Sequence, residues 1–311
     1  MPIGLPQSSG DVIADRRYAI AQEFLARHDL AAAADLLAQA IEAAPQFCSA
    51  WFCLGETREK LGERTAAVAA FQQVCALDPE DRLGAGLHLV RLGALPAGDM
   101  PAAYVRTLFD QYADRFDTAL TEGLAYRGPA LLHDTIAAVC AAAGRPMRFP
   151  DMLDLGCGTG LAGAAFRPLV RQLTGVDLSD RMVSVAAAKK IYDRLATGDL
   201  LQFLQIEARE GRAYGLILAA DVFAYLAWLP PVVTAAARAL APGGLIGFTT
   251  ETHEGDDVIL GDKLRYAHGA AHVRAAVSGA GLTLRTLAPA SSRSEAGVAV
   301  PGLVVVAERE S

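Results

Sequence analysis

Two hydrophobic rhythms divide the chain. From about Val12 to Leu92 the apolar residues recur at three- and four-residue intervals, which places them on one face of successive helices. From Arg148 onward they gather into short apolar runs bounded by Gly, Pro and Asp, with helical patterns between them, the alternation expected of an α/β sheet. Between the two regions lies Gly93 to Pro101 (GALPAGDMP), with two Pro and two Gly in nine residues, which reads as a linker. The expected organisation is therefore helical repeats over 11–95, a linker over 96–102, helices over 103–147 and an α/β core over 148–311.

Within the helical part, Pro45 and Pro79 lie 34 residues apart, the period of a tetratricopeptide repeat. The second unit keeps that pattern in order through Trp51, Leu54, Gly55, Ala67, Phe71 and Pro79. The first follows it more loosely through Ile20, Ala21, Phe24, Ala33, Leu37, Ala40 and Pro45. Small residues at Ala21, Ala33, Gly55 and Ala67 let paired helices approach, and Phe24, Leu37 and Phe71 fill the space between them. A further helix over about Asp81 to Leu92 is expected to cover the open apolar face of the second unit. Such a region suits a partner protein, or self-association.

In the second part the strands end MLDLG at Gly156 and GVD at Asp177, then run Ile191–Ala196, Tyr214–Ala220, Leu240–Thr250, Leu282–Leu287 and Gly302–Glu308, seven in all. A helix is expected over Leu161–Val170. Before them, Leu108, Phe109, Tyr112 and Phe116 give an aromatic face to a helix over Tyr104–Pro129, followed by another over Leu131–Ala143.

The stretch richest in chemistry is LDLGCGTG, Leu153 to Gly160. Three alternate glycines between strand and helix let backbone N–H groups approach a nucleotide-like ligand. Seventeen residues on, Asp177 ends the second strand, where an acid can accept from a ribose diol. These features are shared by NAD-binding folds, but here Leu161 stands where a dinucleotide loop needs its third glycine, and Asp154 would repel a pyrophosphate. Asp154, the GxGxG spacing and GVDLSDRM resemble the class I S-adenosylmethionine (SAM) dependent methyltransferases. The segment FDQYADRFD further resembles the lead-in of predicted bacterial methyltransferases that carry tetratricopeptide repeats.

That resemblance implies a Rossmann-like, seven-stranded methyltransferase domain preceded by an all-α repeat domain. It implies SAM contacts from Tyr112 in a covering helix, from Asp154, from the loop Gly156, Cys157, Gly158, Thr159 and Gly160, and from Asp177, Leu178, Met182, Asp199, Leu200 and Asp221. Asp199 also reads as the cap of the helix that follows it. The segment LRYAH resembles the GRYAHS of the same group, with Leu264 and Gly269 in place of its glycine and serine. On that basis Arg265, Tyr266 and His268 are candidates for acceptor binding, and His268, His253 and Tyr266 for catalysis.

Composition narrows the remaining choices. Hydrophobic residues make up 52% and charged ones 20% of 311 residues, as in ordinary globular proteins. A net charge of −7 argues against nucleic acid as partner. Five cysteines form no CxxC pair, so no metal site is expected and reduced thiols in a cytoplasm are. The start of the sequence does not read as a secretory signal, and the longest uncharged run, Val222–Ala237, is interrupted by Pro230 and Pro231, so no membrane span is expected. The expected function is methyl transfer from SAM to a small-molecule acceptor, leaving S-adenosylhomocysteine. The alternative is a SAM-sensing scaffold that binds, or methylates, a partner protein through the repeats.

Overall fold

The computed structural model describes residues 8–118 and 125–310. The chain divides into two compact units, Met1–Leu108 and Phe109–Ser311. Among the described residues, no helix is long and apolar enough to cross a membrane.

In the first unit, α1 (Val12–Ala26) begins where the Asp11 side chain accepts from the N–H groups of Ile13 and Ala14, and α2 (Leu30–Ala43) where Asp29 accepts from Ala32. They pack as a pair, as do α3 (Cys48–Lys60) and α4 (Arg64–Leu77). The small residues act as expected: a Cβ on Gly55 would lie 2.7 Å from the Phe71 ring. Phe24, by contrast, is only half-buried. The helix expected from Asp81 is shorter, because Asp81 and Gly84 take left-handed φ of 50° and 76°. It starts only at α5 (Ala85–Arg91), with the Asp81 carboxylate accepting from Ala85 at 2.6 Å and Gly86 at 2.9 Å. Leu83, Ala85 and Leu89 then cover Phe52, Ala67, Phe71 and Val74, so the second helix pair does have its apolar face closed.

The division between the units falls within α6 (Ala102–Tyr112). The single helix expected over Tyr104–Pro129 is not formed. At Tyr112 it gives way to a tighter turn, Ala113–Arg115, and to the single turn α7 (Phe116–Thr118); residues 119–124 of that expectation lie outside the described residues. The next helix, α8 (Gly128–Ala142), starts before the expected Leu131 because Pro129 occupies its first turn, where a missing N–H costs nothing.

The α/β region then runs β1 (Phe149–Leu155), α9 (Leu161–Phe166), β2 (Val170–Asp177), α10 (Asp180–Ala188), β3 (Arg194–Thr197), α11 (Leu200–Arg209) and β4 (Tyr214–Ala219). It continues through α12 (Pro230–Ala239), β5 (Leu240–Glu251), the short β6 (Val258–Leu260) and β7 (Tyr266–His268), and α13 (Ala270–Gly279). The last strands are β8 (Thr283–Ala290), the two-residue β9 (Ser294–Glu295) and β10 (Val298–Ala299), and β11 (Gly302–Glu308). Seven strands follow the order β3-β2-β1-β4-β5-β11-β8, and β6 and β7 join at β5, so the sheet has nine strands rather than the seven expected. β11 is antiparallel to both of its neighbours, β5 and β8.

Alternation along the strands feeds two apolar layers. Leu153 and Leu155 of β1 join Phe203 and Leu204 of α11, Val233 of α12 and Val277 of α13 on one face. Met152 joins Leu132 and Ile136 of α8 and Phe166 of α9 on the other. The order also contains a switch point, because the chain leaves β1 toward β2 and β3 and returns on the opposite side as β4. The carboxyl ends of β1 and β4 thus open a crevice, the place where folds of this kind keep ligands.

Candidate active site

The crevice is lined first by the turn after β1. Gly156, Gly158 and Gly160 take φ of 63°, 52° and 93°, a region that residues bearing a Cβ avoid. Two bonds from β2 hold the turn: Cys157 N–H donates to the Val176 carbonyl at 3.0 Å, and Gly158 N–H to Asp177 Oδ2 at 2.8 Å. The other oxygen of Asp177, Oδ1, accepts from Ser179 N–H at 2.9 Å. Ser179 Oγ in turn accepts from Met182 N–H at 3.1 Å and starts α10. Burial pushes the Asp177 carboxyl up, against the pull of the backbone N–H groups of Ser179, Gly158 and Leu178.

Asp154 follows Met152 in the alternation of β1 and so lies on the α8–α9 side. It is 1% exposed. Its Oδ2 accepts from the Tyr192 hydroxyl at 2.7 Å, while Oδ1 is buried without a hydrogen-bond partner among the described residues. Burial pushes the carboxyl up to about 7, with the Tyr192 hydroxyl opposing and the Asp177 charge reinforcing the shift.

The segment from Phe109 to Thr118 is fastened by its acids to the glycine turn and to the start of α10. Asp117 accepts from Thr159 Oγ1 and from Lys189 Nζ, the latter at 2.6 Å. Asp110 accepts from Ser179 Oγ at 2.5 Å, and Asp114 from Arg181 at 2.6 Å. Within this segment the aromatic side chain that reaches the glycine turn is Phe116, 3.8 Å from where a Cβ of Gly158 would be. Tyr112 packs edge-on against Phe116 with ring centroids 5.6 Å apart, and its ring lies under the Arg115 guanidinium.

On the β2–β3 side, Leu178 is half-buried and Met182 is fully buried under α10. Asp199 caps α11 by accepting from Gln202 N–H at 2.9 Å, and Leu200 packs on the apolar core.

At the carboxyl ends of β4 and β5 the structure gathers a charged cluster. Asp221 holds a left-handed φ of 56°. Thr249 Oγ1 accepts from its N–H at 2.9 Å and donates to its Oδ1 at 2.7 Å. Its Oδ2 accepts from Ser292 at 2.8 Å and pairs with Arg293 at 3.2 Å. Arg293 also reaches Glu251 and Glu295, and Arg265 pairs with the same two glutamates. Arg265, expected to meet an acceptor, is thus held between two carboxylates of the chain itself.

The histidines are similarly occupied. His268 is fully buried, with Nε2 donating to the Leu226 carbonyl at 2.9 Å. Its Nδ1 therefore accepts from Thr250 Oγ1 at 2.7 Å, and burial pushes its pKa down to about 4. His253 accepts at Nδ1 from Gly255 N–H at 3.0 Å and donates from Nε2 to the Asp257 carbonyl at 2.9 Å, which shapes its own loop. Tyr266 is fully buried in β7. Among the described residues, no cluster of His, Cys, Asp and Glu is arranged to hold a metal ion.

Sequence reasoning did not single out Tyr192, Asp110, Asp117, Glu251 or Arg293, and named Phe116 only as part of an aromatic helix face. The two aspartates and Phe116 carried a signal in FDQYADRFD. The others are brought in only by tertiary structure.

A mostly parallel sheet with a switch point, a GxGxG turn and an acid at the tip of β2 together make the geometry of a nucleotide-type ligand site. Residues 153–246 match the methyltransferase domain family. The chain is 30% identical over 125 residues to malonyl-[acyl-carrier protein] O-methyltransferase of Serratia marcescens, covering 40% of this chain and 47% of that protein. It is 27% identical over 99 residues to ubiquinone biosynthesis O-methyltransferase of Burkholderia vietnamiensis, covering 32% and 43% respectively. It thus spans less than half the length of these curated relatives. In fold it is similar to magnesium protoporphyrin IX methyltransferase of Synechocystis, solved with bound SAM, with a TM-score of 0.52 and 17% identity over 69% of this chain and 100% of that one. It is also similar to 1,6-didemethyltoxoflavin-N1-methyltransferase of Burkholderia thailandensis, with a TM-score of 0.50 and 18% identity over 68% and 89%.

Proposed function

We propose that this chain transfers the methyl group of SAM to a small-molecule acceptor and leaves S-adenosylhomocysteine. The observation that carries the reading is the glycine turn clasped by Asp177 above a buried Asp154 oxygen that has no hydrogen-bond partner among the described residues. A buried, unpaired carboxylate oxygen is costly, and the ammonium of the cofactor's methionine part would satisfy it. Each Asp177 oxygen spends one lone pair on the backbone and keeps another, which suits the two hydroxyls of a ribose. Bound SAM supplies an electrophilic methyl group on a sulfonium.

The chain's own residues do the rest. Asp154 and Asp177 bind and orient the two ends of the cofactor. Leu178, Met182, Asp199 and Leu200 form the adenine side. Phe116 and Tyr112, tied down through Asp110, Asp114 and Asp117, exclude water from the glycine turn. Asp221, anchored by Thr249, Ser292 and Arg293, borders the acceptor side at the end of β4. His268 or His253 could serve as a base only after breaking the backbone bonds they now make, and Arg265 could hold an acceptor only by leaving its glutamates. Alignment of the acceptor behind the methyl group is therefore the principal catalytic contribution. The names of both curated relatives favour oxygen as the methylated atom.

The helical pairs, with their 34-residue period and the close approach at Gly55, support reading 11–95 as tetratricopeptide-like, 96–102 as the linker and 103–311 as the methyltransferase domain. We assign the repeats to a protein partner or to self-association.

The test is calorimetric titration with S-adenosylhomocysteine, with NADH as control. Micromolar binding of the former alone supports the reading. Binding of neither overturns it in favour of a scaffold working through the repeats.

A further inference from the structure

The loop between α10 and β3 sends one side chain beneath the glycine turn. Three glycines meet the Tyr192 ring there. A Cβ on Gly163 of α9 would lie 2.2 Å from the Tyr192 hydroxyl, and one on Gly175 of β2 would lie 2.8 Å from Cε1. One on Gly160, at the start of α9, would lie 3.0 Å from Cε2. Neither Gly163 nor Gly175 has a left-handed φ, so backbone conformation does not require glycine at either position. What the two positions share is the ring between them. α9 and β2 are notched to admit a phenol, and the hydroxyl carried through the notch ends 2.7 Å from Asp154 Oδ2.

The consequence lies at the other oxygen. A carboxyl group on a short Asp side chain is fixed in rotation once one oxygen is bonded and the ring that donates to it is itself wedged. With Oδ2 tied to Tyr192, Oδ1 is left buried and without a partner among the described residues. The tyrosine thus does two things that a merely space-filling ring would not. It sets which oxygen is offered to a ligand, and its donated hydrogen bond favours the ionised carboxyl against the burial that opposes it.

We propose that Tyr192 is a positioning residue for the cofactor's amino-acid end: it holds Asp154 so that Oδ1 accepts the ammonium of a bound methionine-type sulfonium or thioether nucleoside. This rests on the reading of Asp154 given above, and adds a residue that touches the cofactor only through another. Its action is confined to one end of the ligand. The adenosine end is held by Asp177, whose carboxylate is fixed by Gly158 and Ser179 N–H groups and makes no bond to Tyr192.

That confinement supplies the test. S-adenosylhomocysteine carries the ammonium, and 5′-methylthioadenosine has the same nucleoside and sulfur without it. Both are titrated calorimetrically into wild-type protein, Tyr192→Phe and Gly163→Ala, with a thermal melt to establish that each variant is folded. The phenylalanine keeps the ring in its notch and removes only the hydroxyl. The alanine places its Cβ where the hydroxyl now lies and forces the tyrosine away from Asp154. In both variants S-adenosylhomocysteine affinity is expected to fall about 10- to 100-fold, the range for a hydrogen bond to a charged group, while methylthioadenosine affinity stays within about twofold. Equal losses for the two ligands would reduce Tyr192 to a prop under the turn and overturn its positioning role. So would an unchanged affinity for S-adenosylhomocysteine in Tyr192→Phe. Wild-type protein that bound neither ligand would overturn the cofactor reading itself, and this inference with it.

Discussion

Replacing Asp154 by Asn should make the cofactor-free protein more stable at alkaline pH and leave it unchanged at acid pH. The carboxyl is pushed up to about 7 in the fold, from 3.8 for a free side chain. Between those values the folded state binds a proton that the unfolded chain has released. Stability from this group is therefore fully present below pH 4 and declines as pH rises to about 7. At 1.36 kcal/mol per pH unit the gap of about three units corresponds to roughly 4 kcal/mol, and on the order of 2–4 kcal/mol once some relaxation around the ionised group is allowed for. Asn stays neutral throughout, and its carbonyl can still accept from Tyr192. The wild-type slope alone does not isolate the effect, because His268, pushed down to about 4, works in the opposite sense. Its contribution is present above its unfolded value near 6.5 and is lost as pH falls. The difference between wild type and Asp154→Asn cancels that term. Asp177, Tyr192, Cys157 and Tyr126 also face the group, and all remain in the variant. Urea melts without cofactor at pH 5 and pH 8, in a Trp51→Phe background so that Trp228 alone reports, would measure it. The expected result is a gain at pH 8 equivalent to about 10 °C in melting temperature and, at pH 5, only about 1.2 units above the unfolded value, roughly a third of that gain. A difference that is the same at both pH values would refute the reasoning.

Other outcomes follow from the same geometry. Asp177→Ala removes the acceptor for Gly158 and Ser179 N–H as well as the one offered to a ribose, and should weaken S-adenosylhomocysteine by about 2–3 kcal/mol in calorimetry; a loss under about 1 kcal/mol would count against the assignment. Asp117→Ala removes contacts to both Thr159 and Lys189 and should weaken binding about tenfold, whereas Asp114→Asn, which loses a single exposed ion pair with Arg181, should cost less than about fivefold and matter still less in high salt. Gly55→Ala forces a methyl group into the Phe71 ring and should destabilise the helical unit by about 1–3 kcal/mol, read as an earlier loss of helical circular dichroism on heating.

What could be read in the sequence was what is decided locally. Three alternate glycines fix a turn whatever surrounds them, Ser179 and Asp199 start helices through bonds to neighbours three residues on, and the order of strands and helices follows from apolar runs and their lengths. Ile191–Ala196 misled for the same reason. It looks like a strand, yet Ile191–Asp193 stays outside the ladder, with Asp193 N–H donating to the Leu173 carbonyl and its carboxylate accepting from Leu173 N–H, so β3 begins only at Arg194 and Tyr192 is freed to turn inward. The acceptor side was hidden for a different reason. Asp221, Glu251, Arg265 and Arg293 neutralise one another across as many as 72 positions, and a lone Arg in sequence gives no sign of which acids it will meet. Arg265 looked available because its partners were distant in the chain.

The antiparallel strand β11 has a bearing on how this protein is made. It lies between β5 and β8, so on the edge of β5 away from β4 the backbone groups from Leu245 to Glu251 find their partners in Gly302 to Glu308. Synthesis must cover the 51 positions from Glu251 to Gly302 before the first of those pairs can form. At about 5–20 residues per second that is roughly 3 to 10 s during which an apolar sheet edge, LIGFTT, stands open on the nascent chain. The parallel half of the sheet can form first around β1 and β4, and that interval is when the emerging protein is most exposed to edge-to-edge pairing with its neighbours on a polysome and has most use for a chaperone that binds extended apolar segments.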